Sequence, residues 1–292
     1  MLWEPLLNRG RSIDPLPVRA ADEAGGTAER WHTLHGSASR STITALGVLQ
    51  ERPSHHHLVA LSDSAGTATV LRVPAAAPSS LDGIQATQWA PHSGRPVLGV
   101  FWSVGLGGGF LFTAGLEGAL TLWRLPLPGG ENSAGPQLPT RLAEVASPVG
   151  ARVIAVAASR PRPGAPGLVA SGDMDGCLGV WRLREADLEV PSPSASSSSS
   201  TGGGAGAEAM AALPLLASAK RLHGDTPIRV VRVQPARAGR PPLVATGGGD
   251  ACERVMALSP GDGLRCLRCA APAAGVALMR FGVGGSLLLT HI

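Results

Sequence analysis

The chain is poor in the features that mark several common protein classes. Tyrosine is absent and aromatic residues make up only 3 % of the 292 positions. No stretch of about 18 uncharged apolar residues occurs, which argues against a membrane-spanning helix. The N-terminus has no basic region followed by an apolar segment, so no secretory leader is expected. The four cysteines, Cys177, Cys252, Cys266 and Cys269, are too few for a disulfide framework. A reducing compartment and a cytoplasmic location follow as the default. Lys220 is the single lysine among 25 basic residues, and the net charge of +4 is compatible with nucleic acid without being evidence for it.

What the chain has in quantity is Gly (39), Pro (25) and 44 % hydrophobic residues, a composition that suits many short strands joined by turns. The organising stretch is Gly172 to Leu183, reading G-D-M-D-G-C-L-G-V-W-R-L. Asp175-Gly176 is a hairpin signal, because Gly reaches positive φ without a Cβ clash. After it, Leu178 and Val180 alternate with Cys177, Trp181 and Leu183. Apolar positions on both faces predict a strand covered on both sides.

The same phrase returns at Ser62–Gly66, Thr113–Gly118 and Thr246–Ala251, each time followed by a strand. The equivalent positions Gly66, Gly118, Gly176 and Ala251 lie 52, 58 and 75 residues apart. The last gap contains a Ser/Gly tract, expected to be a disordered insert over 190–211. A period of about 50 residues, with a Trp closing a strand after a tight turn, indicates a propeller of four-stranded blades. The repeat positions are Gly66, Gly118, Trp123, Asp175, Gly176, Trp181 and Asp250, and the pattern resembles the WD-repeat family.

Residues 1–30 show no clean period and are expected to be irregular; blades occupy 31–292. The expected blades are Leu34 to Val73, Ile84 to Leu125, Thr140 to Leu183 and Leu213 to Leu258, with a fifth beginning at Gly263. Four blades and part of a fifth fall short of the usual closed ring, so an incomplete ring or a segment of a longer protein is expected.

Several constellations carry side chains capable of chemistry. Val104 to Phe110 has the glycines of a SAM or dinucleotide loop, but the next residues read as a strand rather than a helix, so a hairpin turn fits better. His55-His56-His57 falls in an expected turn, and neighbours on a strand alternate direction, so the three cannot converge on one metal ion. Cys266-x-x-Cys269 has no second pair at zinc spacing, so buried or half-buried thiols are expected. His35 and His223 each precede Gly before a blade strand. A structural bond to an acid is the favoured reading, with Asp63 for His35 and Asp250 for His223. A general base would need a nucleophile that neither has. Lys220, Arg221, Arg229, Arg232, Arg237 and Arg240 cluster within 21 residues. Arg229 and Arg232 are expected on opposite strand faces, and the cluster either contacts phosphates or forms a solvated edge. Stacking aromatics for single-stranded RNA are missing nearby.

The order of phrases narrows the resemblance. Phe101-Trp102-Ser103, Phe110 to Ala114, Leu122 to Leu125, Pro148 to Ile154, Ser171 to Gly176, His223 to Val231 and Ala245 to Cys252 follow one another as in the WD repeat-containing protein 6 family. The resemblance covers about residues 95 to 285. Ala251, Met256 and Ala257 depart from the usual turn Gly, strand Trp and following basic residue. It implies a non-catalytic subunit that binds an FtsJ-like, SAM-dependent tRNA 2′-O-methyltransferase and presents the wobble nucleotide of tRNA to it. No catalytic residue, cofactor, metal, membrane or small-molecule substrate is then expected of the chain itself. Lys220, Arg221, His223, Arg229 and Arg232 are the candidates for binding the partner or RNA. A generic WD-repeat adaptor in another complex is the alternative.

Overall fold

The computed structural model describes residues 41–51, 56–74, 84–103, 105–107, 109–126, 138–189, 211–237, 240–259, 263–270, 276–281 and 287–291. The irregular segment expected at 1–30, His35, His55 and nearly all of the Ser/Gly insert lie outside them.

The described residues form an all-β partial propeller. Blade 1 is β1 (Ile43–Glu51), β2 (His56–Asp63), β3 (Ala68–Pro74) and β4 (Gln85–Trp89), paired antiparallel in that order. Blade 2 is β5 (Val97–Trp102), β6 (Phe110–Gly115), β7 (Ala119–Arg124) and β8 (Thr140–Ala146). Blade 3 begins with β9 (Val153–Ser159), β10 (Gly167–Asp173) and β11 (Leu178–Leu183), and a 3₁₀ turn follows at Glu185–Leu188. A two-residue strand, β12 (Ala211–Ala212), then joins the edge of β8 in parallel before β13 (Leu215–Ala219) completes blade 3. Blade 4 is β14 (Ile228–Gln234), β15 (Leu243–Gly248), β16 (Glu253–Ser259) and β17 (Gly263–Ala270); β18 (Val276–Phe281) and β19 (Leu287–His291) pair as the start of a fifth.

The blades differ from the sequence expectation by one strand. Gln85–Trp89, Thr140–Ala146 and Leu215–Ala219 open the sequence repeats, yet each hydrogen-bonds as the outer strand of the preceding blade. The reason is topological. The outer strand is antiparallel to its predecessor and pairs with it directly, and the following loop runs back to the centre to start the next blade. Two smaller corrections follow. His56 and His57 open β2 rather than occupying a turn, and Ala211, placed in the insert by its composition, is in a strand.

Consecutive blades bury the faces that meet between them. Ala60 and Val70 meet Val97, Val100 and Leu111 between blades 1 and 2. Phe112, Leu120 and Leu122 meet Val153, Val169 and Trp181 between blades 2 and 3. Leu168, Leu178 and Val180 meet Ile228, Val231 and Met256 between blades 3 and 4. The alternation in β11 is therefore real: Trp181 and Leu183 face one neighbour, Leu178 and Val180 the other. Burial of each such side chain contributes roughly 1.5–3 kcal/mol. Polar bonds tie the inner strands together. Trp102 Nε1 donates to the Gly47 carbonyl at 3.1 Å, and Ser103 Oγ donates to the Ala158 carbonyl at 2.9 Å while accepting from the Ala158 N–H. On β1, Ile43, Leu46 and Val48 remain more than half exposed.

Candidate functional site

One end of the propeller carries the hairpin turns between the second and third strands of each blade, together with the loops that lead into each first strand. The turn positions read from the sequence are in the left-handed region: φ is 90° at Gly66, 76° at Gly118 and 72° at Gly176. Ala251 adopts the same conformation at 57°, a strain a glycine would not carry. Space as well as φ selects glycine. A Cβ would lie 2.7 Å from the Arg95 carbonyl at Gly66, 2.8 Å from the Gly150 carbonyl at Gly118 and 2.6 Å from the Gly224 carbonyl at Gly176. Each turn is therefore pressed against the loop that enters the next blade. Backbone bonds lock two of these seams, Ser147 N–H to the Gly118 carbonyl (2.9 Å) and His223 N–H to the Gly176 carbonyl (3.3 Å).

Beneath these turns lie buried polar networks of two designs. In blades 1 and 3 an Asp ends the second strand. Asp63 Oδ1 accepts from the N–H groups of Ala65 and Thr67, and Asp173 Oδ1 from those of Asp175 and Cys177. The other oxygen accepts from a serine on the incoming loop, Ser41 at 3.2 Å and Ser147 at 3.0 Å. In blades 2 and 4 that strand position is Gly115 or Gly248, and a histidine fills the space. In blade 2, Trp123 Nε1 donates to Thr113 Oγ1 (2.9 Å), the Thr113 hydroxyl pairs with His92 Nε2 (3.0 Å), and His92 Nδ1 pairs with Glu117 Oε1 (3.1 Å). In blade 4, Thr246 Oγ1 meets His223 Nε2 at 2.8 Å and Asp250 Oδ1 meets His223 Nδ1 at 2.7 Å. The expected bond between His223 and Asp250 is thus present. The acid of the blade 3 network is Asp173, not the turn residue Asp175, whose N–H donates to it.

The electrostatics follow from burial. Desolvation pushes the pKa of His223 and of His92 below the ordinary 6.5, against the raising influence of their acids. Arg254, whose Nη1 lies 2.8 Å from Asp250 Oδ2 and 2.6 Å from His223 Nδ1, adds to the lowering at His223. Burial alone would raise Asp250, but bonds from His223, the Cys252 N–H and Arg254 outweigh it and hold the carboxyl at about 2. Hydroxyl, imidazole and carboxylate in series have the roles of a nucleophilic triad. Here, however, Thr113 and Thr246 are completely buried and His223 is 1 % exposed, so neither hydroxyl oxygen can meet a substrate. The networks pin turn to loop.

The basic run does not form one patch, because β14 carries it through the molecule. Lys220 and Arg221 sit on the turn-bearing end, where they line a shallow cavity with Asp175, Cys177 and Asp225, and Arg221 Nε lies 3.1 Å from Asp225 Oδ1. Arg229 and Arg232 line a cavity of about 320 Å³ between the inner strands, with Gly47, Val100, Trp102 and Ile154. Both belong to β14, where a bulge between Ile228 and Val230 interrupts the regular alternation. Arg237 and Arg240 emerge at the far end, bonded to each other through their backbones. His223 offers no exposed face. Sequence reading missed His92, although His92 stands four residues before Pro96 as His223 stands four before Pro227.

Among the described residues the glycine-rich segment after β5 is a turn into antiparallel β6, with Gly107 at φ 86° and Leu106 buried in the core. Cys177 is buried, Cys266 and Cys269 are exposed on β17, and no group of three His, Cys, Asp or Glu side chains gathers in metal-binding geometry among the described residues.

No protein-family model matches the chain, and no curated protein matches it. Solved structures do match in fold. A chain of a humanized mutant of Chaetomium thermophilum Polycomb Repressive Complex 2 superposes with a TM-score of 0.55 at 11 % identity, over 88 % of this chain and 54 % of that one. A chain of an active polycomb repressive complex 2 in the basal state gives 0.54 at 12 %, with the same coverage. Sqt1 from Chaetomium thermophilum gives 0.51 at 15 %, over 86 % of this chain and 60 % of that one. The chain therefore spans a little over half the length of these proteins. The likeness establishes a WD-repeat-like propeller.

Proposed function

We propose that this chain is a non-catalytic interaction scaffold and, more specifically, part of a platform that holds an FtsJ-like, SAM-dependent methyltransferase while it methylates the 2′-hydroxyl of the wobble nucleotide of tRNA. The observation that carries the scaffold reading is where the polar chemistry is spent. The threonine and histidine of both His–acid networks are buried beneath the turns, while arginines line the cavity between the inner strands and stand at both ends. Two of the structural neighbours belong to a multi-protein complex, which supports assembly as the use of this architecture. The finer reading rests on the order of phrases from Phe101 to Cys252.

In this reading the reaction occurs in the partner. The scaffold contributes orientation, removing translational freedom before the methyl transfer. Lys220 and Arg221 on the turn-bearing end supply positive charge for phosphates. Co-expression with the organism's FtsJ-like tRNA methyltransferase and size-exclusion chromatography tests it. Co-elution, with wobble methylation faster than by the methyltransferase alone, is the expected result. A folded, monodisperse chain that elutes separately overturns the methyltransferase reading and leaves an adaptor for another complex.

A further inference from the structure

The end of the propeller opposite the His–acid networks is built differently on blades 3 and 4. There the loop from β9 to β10 reads R-P-R-P-G-A-P, and the loop from β14 to β15 contains Arg237, Arg240, Pro241 and Pro242. Both loops close on themselves in the same way. Arg162 and Ala165 exchange two backbone bonds of 2.9 Å, and Arg237 and Arg240 exchange bonds of 3.3 and 2.8 Å. Gly164 takes φ 76° to make the first of these turns. Prolines at 161, 163 and 166 fix φ along the loop, so little conformational freedom remains to be lost when something binds.

Between this loop, the end of β11 and the 3₁₀ turn lies an open groove of about 970 Å³. Its walls are Pro161, Pro163 and Ala165, and its rim carries Arg160, Arg162, Arg182 and Arg184. All four arginines are exposed. Arg184 is held by Asp187, with Nη2 at 2.8 Å from Oδ1. Arg160 reaches Glu185 at 3.4 Å, with both side chains 57 % exposed, a pairing that contributes little. Arg162 and Arg182 have no carboxylate partner among the described residues. The rim thus already binds carboxylates of its own chain and has arginine forks to spare.

We propose that this groove docks an acidic peptide segment of a partner protein, with carboxylates on the arginine forks and small apolar side chains on the proline wall. Planar guanidinium groups match carboxylates bidentately. An apolar floor within a polar rim is the anatomy of a protein contact. A nucleic acid strand would call for aromatic rings on which bases stack, and none of the described residues lining the groove is aromatic. The inference does not depend on the methyltransferase reading, since it concerns the other end of the molecule.

The test uses the full chain and three fluorescein-labelled probes in anisotropy titrations: a short peptide of Glu and Asp interspersed with Leu and Pro, the same peptide with Lys at the acidic positions, and a single-stranded RNA of equal length. The acidic peptide is expected to bind saturably and the Lys peptide not to bind. Replacing Arg162 and Arg182 together by Gln weakens the acidic peptide about tenfold or more, the loss of two charge-assisted contacts. Glu185→Gln, which removes the internal competitor, tightens it; this second variant keeps the proposal falsifiable if the double variant folds poorly. Arg95→Ala, on the exposed loop that enters blade 2 at the opposite end, leaves affinity unchanged. Absence of saturable peptide binding, or equal affinity in the wild-type chain, the double variant and Glu185→Gln, overturns the proposal. So does RNA binding tighter than peptide binding and lost in the double variant, which would assign the arginines to phosphates.

Discussion

Blades 2 and 4 solve with a histidine what blades 1 and 3 solve with an aspartate. The problem is the same in all four: a tight turn buries N–H groups that need an acceptor, and the turn must be held to the loop beside it. Blades 1 and 3 place the carboxylate on the strand end, one bond from a rigid backbone, and a serine hydroxyl completes it. Blades 2 and 4 place the carboxylate on the turn itself and span the gap with an imidazole anchored on a threonine. The designs exclude each other in space. A Cβ on Gly248 would lie 2.2 Å from His223 Nδ1, and one on Gly115 would lie 2.4 Å from Glu117 Oε1. The glycine at that strand position is therefore the partner of the network, while the turn glycine answers to φ and to the loop pressed against it.

That exclusion gives the largest expected effect. Gly248→Asp introduces the blade 3 acid while His223 still occupies its place. Overpacking and an unpaired buried charge together cost about 4 kcal/mol or more. Adding His223→Ser to the same chain creates the complete blade 3 arrangement and recovers a substantial part of the loss. Urea denaturation of the two single variants and the double variant measures the coupling. Simple additivity would mean that the two designs are not alternatives.

Removing the other design's acid is next in size. Asp173→Ala leaves the N–H groups of Asp175 and Cys177 and the hydroxyl of Ser147 without their acceptor in a site 1 % exposed. The expected loss is about 3 kcal/mol. The corresponding change at the neighbouring position, Asp175→Ala, removes only an exposed side chain and is expected to cost less than about 0.5 kcal/mol. Equal losses at the two sites would contradict the assignment of Asp173 as the network acid.

The designs also differ in their response to acid. Both imidazoles have folded pKa values below 6.5, so the unfolded chain binds protons more readily and stability rises with pH. The contribution is intact above the unfolded pKa and is lost as pH falls below about 6.5. Asp250, held at about 2, adds a second loss as pH falls from 3.8 toward that value. Thermal melts between pH 7 and 5 are expected to show a falling midpoint. Replacing His92 and His223 together by Asn lowers the midpoint throughout and flattens its slope. An unchanged slope would place the titration elsewhere.

Much of this was legible in the sequence, and the limits were physical. Turn glycines, the strand alternation in Leu178–Leu183 and the pairing of His223 with Asp250 were readable because each depends on residues close in sequence or on a repeated spacing. Blade boundaries were misread by one strand, since the repeat marks where a phrase begins and hydrogen bonding decides which sheet the strand joins. Asp175 is more conspicuous in the sequence than Asp173 because a D-G pair is a strong turn signal. An aspartate that ends a strand has no signal of its own until its acceptor role is seen. The basic run from Lys220 to Arg240 looked like one cluster only because sequence distance hides that a strand crosses the whole blade.

The smallest effect tests how much of the blade 2 chain of bonds is needed. Blade 4 operates without its first link, since Met256 stands where Trp123 stands in blade 2 and has no N–H to offer Thr246. Trp123→Phe removes the 2.9 Å bond to Thr113 Oγ1 while keeping an aromatic ring against Trp89, whose ring centre is 5.7 Å away in an edge-on packing. If the His–acid pair holds the turn and the Trp only polarises the threonine, the loss is about 1 kcal/mol, one hydrogen bond and some buried area. The acid slope conferred by His92 also persists in this variant. A loss comparable to that of Asp173→Ala would instead make the Trp an essential member of the blade 2 network. Blade 4 would then be the divergent case, relying on Arg254 to brace Asp250 in place of the missing indole.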